Sequence, residues 1–85
     1  MKVKLLFFAA LREQLGIAGE DIELPPEVST VAGLRALLKS RGGPYEKAFA
    51  EKTLVRIAVN RDMVLPSARI QPGDEVAFFP PVTGG

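Results

Sequence analysis

The 85-residue sequence contains no cysteine, no histidine and no tryptophan. Without cysteine the chain has no disulfide, no thiolate nucleophile and no cysteine ligand for zinc. Without histidine it also lacks the side chain that most often serves as a general base in enzymes. Small secreted domains often depend on disulfides, so the absence of cysteine favours a cytoplasmic protein. These absences argue against an autonomous active site of the common kinds.

Long apolar segments and clusters of like charge are also missing. The apolar run that begins at Leu5 is interrupted by Arg12 and Glu13, and no segment approaches the roughly 20 apolar residues of a membrane helix. No signal-peptide cleavage pattern follows that run. The 11 basic and 10 acidic residues are scattered and give a formal net charge of +1. We therefore expect neither nucleic acid nor a membrane as a partner.

Hydrophobic residues make up 47% of the chain, which is typical of a folded globule with one core. Alternating apolar residues predict strands over residues 3–8, 21–24, 55–59, 63–65 and 75–79. A short helix over Ala9–Leu15 is expected to stop at Gly16, and the main helix is expected to begin after Thr30 and end at Gly42-Gly43. Pro44 can open a further helical turn or two.

The order of these elements predicts an α+β fold. A hairpin at each end, with one main helix between them, is typical of the ubiquitin-like β-grasp, in which a mixed sheet packs on the helix. The first and last strands are then central and parallel. We expect residues 1–79 to form this domain, and residues 80–85 to form a flexible, extended C-terminal tail that ends in Gly-Gly.

Strand alternation predicts that some large apolar side chains point away from the helix. If Phe78 lies on the inner face of the last strand, Phe79 lies on the outer face, and the same alternation puts Phe8 outside. Met63 joins them if Val64 is the inward residue. Aromatic residues on neighbouring strands beside a tail predict a partner interface; the alternative is that loops cover them.

The predicted tail suggests a chemical role for the last residue. Pro80 and Pro81 end sheet pairing and hold the chain extended, so the six residues reach about 20 Å. Gly84 and Gly85 have no side chain and can enter a channel too narrow for a Cβ. The carboxylate of Gly85 becomes reactive when another enzyme adenylates it with ATP, and sulfide can then displace AMP to give a thiocarboxylate. A frayed end without a function is the alternative.

Four stretches of the sequence resemble the small subunit of molybdopterin synthase, the sulfur carrier of molybdenum-cofactor biosynthesis. They are LFFAALREQLG near the start, TVAGLRALL in the main helix, AVNRDMV at the third-strand turn and GDEVAFFPPVTGG at the end. The last stretch is the most specific. The resemblance extends over nearly the whole chain, although residues 41–52 carry no matching motif.

The resemblance implies a mechanism that is completed by other proteins. An adenylating enzyme of the ubiquitin-activating type would use ATP on Gly85, and a sulfur donor protein would supply the sulfur. The tail would then enter the large synthase subunit and donate sulfur to a cyclic pyranopterin phosphate, forming the dithiolene of molybdopterin. The chain would thus be the sulfur-donating subunit of a sulfurtransferase, with no bound cofactor or metal.

The resemblance also implies the assembly and the residues that make it. Members of the family form a heterotetramer with one small subunit at each end of a large-subunit dimer. Gly84 and Gly85 are the functional terminus. The partner contacts map onto two groups of residues, which are the outward apolar residues Phe8, Met63 and Phe79 and the tail residues Pro80, Pro81, Val82 and Thr83.

Three other functions remain open from the residues alone. A sulfur carrier of the thiamine pathway shares the Gly-Gly end, but such carriers tend to be shorter and lack this combination of motifs. A ubiquitin-like modifier would form an isopeptide bond with lysines, and it too begins with adenylation. The third alternative is a scaffold or interaction domain whose terminus has no function.

Overall fold

The computed structural model describes residues 1–81, in which a five-stranded sheet is covered on one face by helices. The elements follow one another as β1 (Lys2–Phe7), α1 (Ala9–Leu15), β2 (Gly19–Glu23), α2 (Val31–Lys39), α3 (Pro44–Ala48), β3 (Arg56–Val59), β4 (Asp62–Met63) and β5 (Glu75–Phe79). None of the helices within residues 1–81 has the length and apolarity needed to span a bilayer.

The sheet has the strand order β2-β1-β5-β3-β4. Its central pair, β1 and β5, runs parallel, and every other neighbouring pair runs antiparallel. The first and last strands therefore lie side by side in the middle of a mixed sheet. This confirms the predicted α+β, β-grasp arrangement.

A single apolar core joins the inner face of the sheet to the helices. Alternate residues of the two central strands are buried in it, as a strand with one covered face requires. These residues are Val3, Leu5 and Phe7 of β1 and Val76 and Phe78 of β5. The helix α2 contributes Val31, Leu34 and Leu38, which recur at helical spacing. Phe49, just after α3, packs edge-on against Phe78, with ring centroids 5.2 Å apart.

The main helix begins where the sequence predicts and ends earlier. Thr30 is the N-cap, and its side-chain hydroxyl oxygen accepts a hydrogen bond from the Gly33 N–H at 3.1 Å. The α-helix ends at Lys39, before the predicted Gly42-Gly43, and the Ser40 N–H donates its last i→i−4 bond, to the Ala36 carbonyl at 3.0 Å. The chain continues with tighter i→i+3 bonds, including one from the Gly42 N–H to the Lys39 carbonyl at 3.2 Å. Such bonds satisfy the last carbonyls of a helix without extending it.

Replacing Thr30 with alanine is expected to destabilise the fold by about 1 kcal/mol, because the Gly33 N–H loses its acceptor at the helix end. Thr30→Ser retains the hydroxyl and is the matched control, expected to remain close to the wild type. Urea unfolding followed by circular dichroism measures both. Equal stability of Thr30→Ala and the wild type would show that the cap contributes nothing.

Four strands differ from their predicted bounds. β1 covers Lys2–Phe7 rather than residues 3–8, and β3 begins at Arg56 rather than residue 55. β2 is assigned to Gly19–Glu23 and so begins two residues before the predicted residue 21. Leu24 still continues the pairing with the chain start, because its N–H donates to the Met1 carbonyl at 2.7 Å, and its side chain is buried in the core. β4 contains only Asp62 and Met63, whereas residues 63–65 were predicted. The Val64 N–H still donates to the Ile57 carbonyl at 3.1 Å, but the chain then leaves the sheet, and Leu65 is 74% exposed.

Candidate functional site

Phe8 and Phe79 lie side by side on the outer face of the sheet. Phe78 is completely buried on the inner face, so alternation places Phe79 on the outer face. The Phe8 N–H donates to the Phe78 carbonyl at 3.1 Å, which continues the β1–β5 pairing by one residue and brings Phe8 next to Phe79. Ala9 then takes a left-handed φ of 52° and starts α1. Phe8 remains 45% exposed.

Met63 reaches the same outer face from the edge of the sheet. It pairs with Ala58 of β3, and Ala58 pairs with Ala77 of β5. Val64 packs against the core, which leaves Met63 pointing outward and 54% exposed. The outward orientation predicted for Phe8, Met63 and Phe79 is therefore present.

These side chains form a continuous apolar area, which we call the outer patch. Its residues are Leu6, Phe8, Ala58, Met63, Ala77 and Phe79. At one border of the patch, Lys4 pairs with Glu75. At the opposite border lies Arg56, which pairs with Phe79. Sequence reasoning did not single out Arg56, although strand alternation over residues 55–59 places it on the same face as Ala58.

The predicted tail begins at the end of the outer patch. Sheet pairing stops at Phe79, immediately before the two prolines, and Pro80 and Pro81 are half-buried. The remaining predicted site residues, Val82, Thr83, Gly84 and Gly85, lie outside the described residues. The outer patch and the start of the tail thus adjoin each other at Phe79.

A cavity of about 480 Å³ opens between α2 and the segment that contains β3 and β4. Met63 and Arg56 line it, as does Arg35 of α2. The guanidinium of Arg35 is engaged within the fold, where it donates to three backbone carbonyl oxygens at 2.6–3.2 Å. These acceptors, which fix the segment after α3, are the carbonyls of Phe49, Ala50 and Thr53.

The charged groups whose pKa values shift lie at the other edge of the sheet. The hydrogen bond from the N-terminal ammonium of Met1, 2.9 Å away, lowers the pKa of the Glu23 carboxyl. The hydrogen bond to the Glu20 carboxylate raises the pKa of the Arg41 guanidinium. Both acidic residues belong to β2, so these pairs connect the chain start and the α2–α3 loop to the sheet. They supply no acid–base group to the outer patch.

Within residues 1–81, no group of three or more acidic side chains is arranged to hold a metal ion. The predicted site residues that the structure brings together on the outer face, Phe8, Met63 and Phe79, have apolar side chains. Such a surface can bind and orient another protein, but it cannot transfer a proton or an acyl group by itself. The described residues therefore provide an apolar binding surface that ends where the predicted tail begins.

Two exposed leucines were not predicted. Leu54 and Leu65 are 76% and 74% exposed, which is more than Phe8 or Met63. Leu65 is two residues from Met63, so alternation within the predicted strand over residues 63–65 puts it on the same outward face. Leu54 lies before β3, and no signal in the sequence distinguishes it from the buried leucines.

The sequence model of the ThiS family matches residues 5–85. The molybdopterin synthase sulfur carrier subunit of Escherichia coli (strain K12) is 39% identical over 83 residues, covering 98% of this chain and 99% of that protein. A solved structure from Pyrococcus furiosus, assigned as molybdopterin converting factor subunit 1, is 36% identical with a TM-score of 0.79. That alignment covers 96% of this chain and 99% of the other.

A more distant structure shares the fold. It comes from a complex of subunits 1 and 2 of the molybdopterin-converting factor of Helicobacter pylori 26695. It is 23% identical with a TM-score of 0.68, and the alignment covers 100% of both chains. At this identity the likeness concerns the fold alone. The match to the family and the full-length relatives together show that the chain belongs to the ThiS family and is similar throughout to molybdopterin synthase sulfur carrier subunits.

Proposed function

We propose that this chain is a sulfur carrier that serves molybdopterin synthase. The observation that carries the proposal is the 39% identity to a sulfur carrier subunit across 98% of the chain. The described residues fit a carrier, because the exposed side chains of Phe8 and Met63 provide an apolar binding surface on the outer face of the sheet. In this proposal Gly85 is the C-terminal residue and its carboxylate carries the sulfur.

Loading of the carrier takes two steps. The Gly85 carboxylate attacks the α-phosphorus of ATP in a separate adenylating enzyme, giving an acyl-adenylate and pyrophosphate. Hydrosulfide sulfur, delivered by a donor protein, then attacks the acyl carbon, the bond to AMP breaks, and a thiocarboxylate remains with the release of AMP and a proton. ATP is bound by the adenylating enzyme, and the chain itself holds no cofactor. We place these steps in the cytoplasm, where ATP is available.

The outer patch gives the carrier a means of positioning its tail. A partner that covers Phe8, Met63 and Phe79 holds the start of the tail at a fixed place, since β5 ends at Phe79. The residues that follow can then enter a channel in that partner, with Gly84 and Gly85 at the reacting end. Fixing two reactants in this way makes the transfer effectively intramolecular.

The proposed partner at the patch is the large subunit of molybdopterin synthase, in a heterotetramer with one small subunit at each end of a large-subunit dimer. Support comes from the sulfur carrier subunit to which the chain is similar. The Helicobacter pylori fold neighbour was solved in a complex of subunits 1 and 2, so a chain of this fold can assemble with a second subunit. There the thiocarboxylate sulfur passes to a cyclic pyranopterin phosphate.

Intact-mass spectrometry tests the loading step. After incubation with its adenylating enzyme, ATP and sulfide, the chain is expected to gain the mass difference between one sulfur and one oxygen atom. The sample without ATP is the control and is expected to keep its mass. An unchanged mass with ATP would contradict the carrier proposal. Isopeptide-linked adducts on other proteins, without any sulfur gain, would favour a ubiquitin-like modifier instead.

A further inference from the structure

Arg56 places a positive charge against the apolar residues proposed to bind the partner. It pairs with Phe79 across β3 and β5, and it lies two residues before Ala58, whose other neighbour is Met63. Arg56 is therefore on the outer face, at the border of the outer patch beside Phe79, and it is exposed. A partner that covers Phe79 therefore also meets the side chain of its cross-strand neighbour, Arg56.

The surroundings of Arg56 differ from those of Lys4, the cation at the opposite border of the outer patch. Lys4 of β1 has an acidic residue on each neighbouring strand, Asp21 on β2 and Glu75 on β5. The neighbour of Arg56 on β5 is Phe79. Opposite charges on adjacent strands stabilise each other, and Arg56 has no such cross-strand neighbour.

The charge of Arg56 is also not compensated by an ion pair elsewhere in residues 1–81. The ion pairs there join Met1 to Glu23 and Arg41 to Glu20. Glu51 lines the same cavity as Arg56 without forming an ion pair with it. In the described part of the chain, water therefore solvates this guanidinium, and a partner that removes the water has to replace it.

We infer that the large synthase subunit presents a carboxylate to Arg56 when it covers the outer patch. This inference rests on the proposed function, because it takes the large subunit as the occupant of the patch. A guanidinium that loses its water without gaining an opposite charge would weaken the complex. A carboxylate is the group that matches its planar fork with two parallel hydrogen bonds. The pair would fix the position at which the predicted tail starts on the partner, because Arg56 lies beside Phe79, the last residue of β5.

Two substitutions at Arg56 test the inference by the direction of their effects. Titration with the large subunit of the same organism is expected to give an affinity about 30-fold lower for Arg56→Leu, and lower still for Arg56→Glu. Leucine suits an exposed strand position beside an aromatic residue. If Arg56 faced no carboxylate, Arg56→Leu would instead extend the apolar patch and bind at least as tightly as the wild type, and that result would overturn the inference.

A charge-matched control separates the local pair from a general electrostatic effect. Arg69→Glu changes the net charge as much as Arg56→Glu, at an exposed residue in the segment between β4 and β5. Arg69 bridges to Thr30 at the start of α2 and pairs with no residue of the outer patch. We therefore expect Arg69→Glu to change the affinity by less than about 3-fold, since salt screens exposed charges that form no direct pair. An equal loss for Arg69→Glu and Arg56→Glu would also overturn the inference.

The same samples distinguish failure of this inference from failure of the proposed function. Wild-type chain is tested in parallel for ATP-dependent sulfur gain and for binding to the large subunit. If it gains sulfur and binds, while Arg56→Leu binds equally well, only the carboxylate inference is wrong. If the wild type neither gains sulfur nor binds, the proposed function is wrong, and the inference is overturned with it.

Discussion

Deletion of Gly85 is expected to abolish sulfur loading while leaving the fold unchanged. The deletion moves the terminal carboxylate back by about 3.3 Å, the length of one extended residue. A displacement of even 1 Å from a reacting geometry can reduce a rate about 100-fold, so loading should fall at least that far. The buried core extends from Val3 to Phe78, so the melting temperature is expected to stay unchanged. Intact mass after incubation and the melting temperature measure the two effects.

Gly85→Ala is the companion variant, because it keeps the chain length and adds only a methyl group. If the terminus enters a channel too narrow for a Cβ, this variant also loads poorly, although its carboxylate has the right reach. Loading of the deletion variant at the wild-type rate would show that Gly85 does not carry the sulfur. A marked fall in its melting temperature would show that the terminus is part of the folded domain.

The central part of the fold was predictable because its signals are local and redundant. The period of two in β1 and β5 follows from having one covered face, and the structure buries Val3, Leu5 and Phe7 together, as that period requires. The N-cap at Thr30 was predictable for a similar reason, because a hydroxyl before an apolar helix start satisfies a free N–H. Each of these features depends on residues close in sequence.

The element ends were less predictable because they depend on contacts that are distant in sequence. Leu24 is buried in the core, and its N–H bonds to the Met1 carbonyl at 2.7 Å, 23 residues away in sequence. The apolar run of Met63, Val64 and Leu65 predicts that Leu65 extends β4, but the chain leaves the sheet after Val64. The Ala32 N–H then bonds to the Pro66 carbonyl at 2.9 Å, which ties this segment to the start of α2. Apolar character alone does not reveal which of these packings forms.

The candidate site also contains features that local sequence predicts and features that depend on distant contacts. The outward directions of Phe8 and Phe79 follow from alternation within single strands, and the sequence therefore predicts them. The place of Arg56 beside Phe79 depends on the register between β3 and β5, which is set by packing of the whole sheet. The roles of Gly84 and Gly85 are predicted from chemistry and family resemblance, and they stay predictions because these residues lie outside the described part.

Alanine substitutions at the adjacent residues Phe78 and Phe79 are expected to affect different properties. Phe78→Ala should lower the stability, and Phe79→Ala should lower the affinity for the large subunit. Phe78 is fully buried, and its ring centroid lies 5.9 Å from that of Phe7 and 5.2 Å from that of Phe49. Phe78→Ala should lower the free energy of unfolding by about 3–5 kcal/mol, because it leaves a cavity among these rings. A chain of this length is stabilised by about 4–13 kcal/mol in total, so much of the sample would unfold or melt at a far lower temperature.

Phe79→Ala should act on binding instead. Its side chain lies on the outer face, half-buried beside Phe8 and Arg56, so truncation leaves no cavity in the core and costs about 1 kcal/mol of stability or less. An aromatic residue at the centre of an interface contributes about 2 kcal/mol or more to binding, which predicts an affinity for the large subunit about 30-fold lower. Phe79→Leu keeps most of the apolar area and is the matched control, expected to bind better than Phe79→Ala.

Urea unfolding and titration with the large subunit, applied to Phe78→Ala, Phe79→Ala and Phe79→Leu, compare the two positions directly. Of these three, Phe78→Ala is expected to be the least stable protein, and Phe79→Ala is expected to bind more weakly than Phe79→Leu. The reverse ranking, with Phe79→Ala less stable than Phe78→Ala, would place Phe79 in the core. It would also contradict the register in which Phe79 pairs with Arg56, and on which the outer patch depends. Because both phenylalanines lie on one strand, a single slip of register would exchange their roles, and this pair of variants therefore tests the orientation of the whole surface.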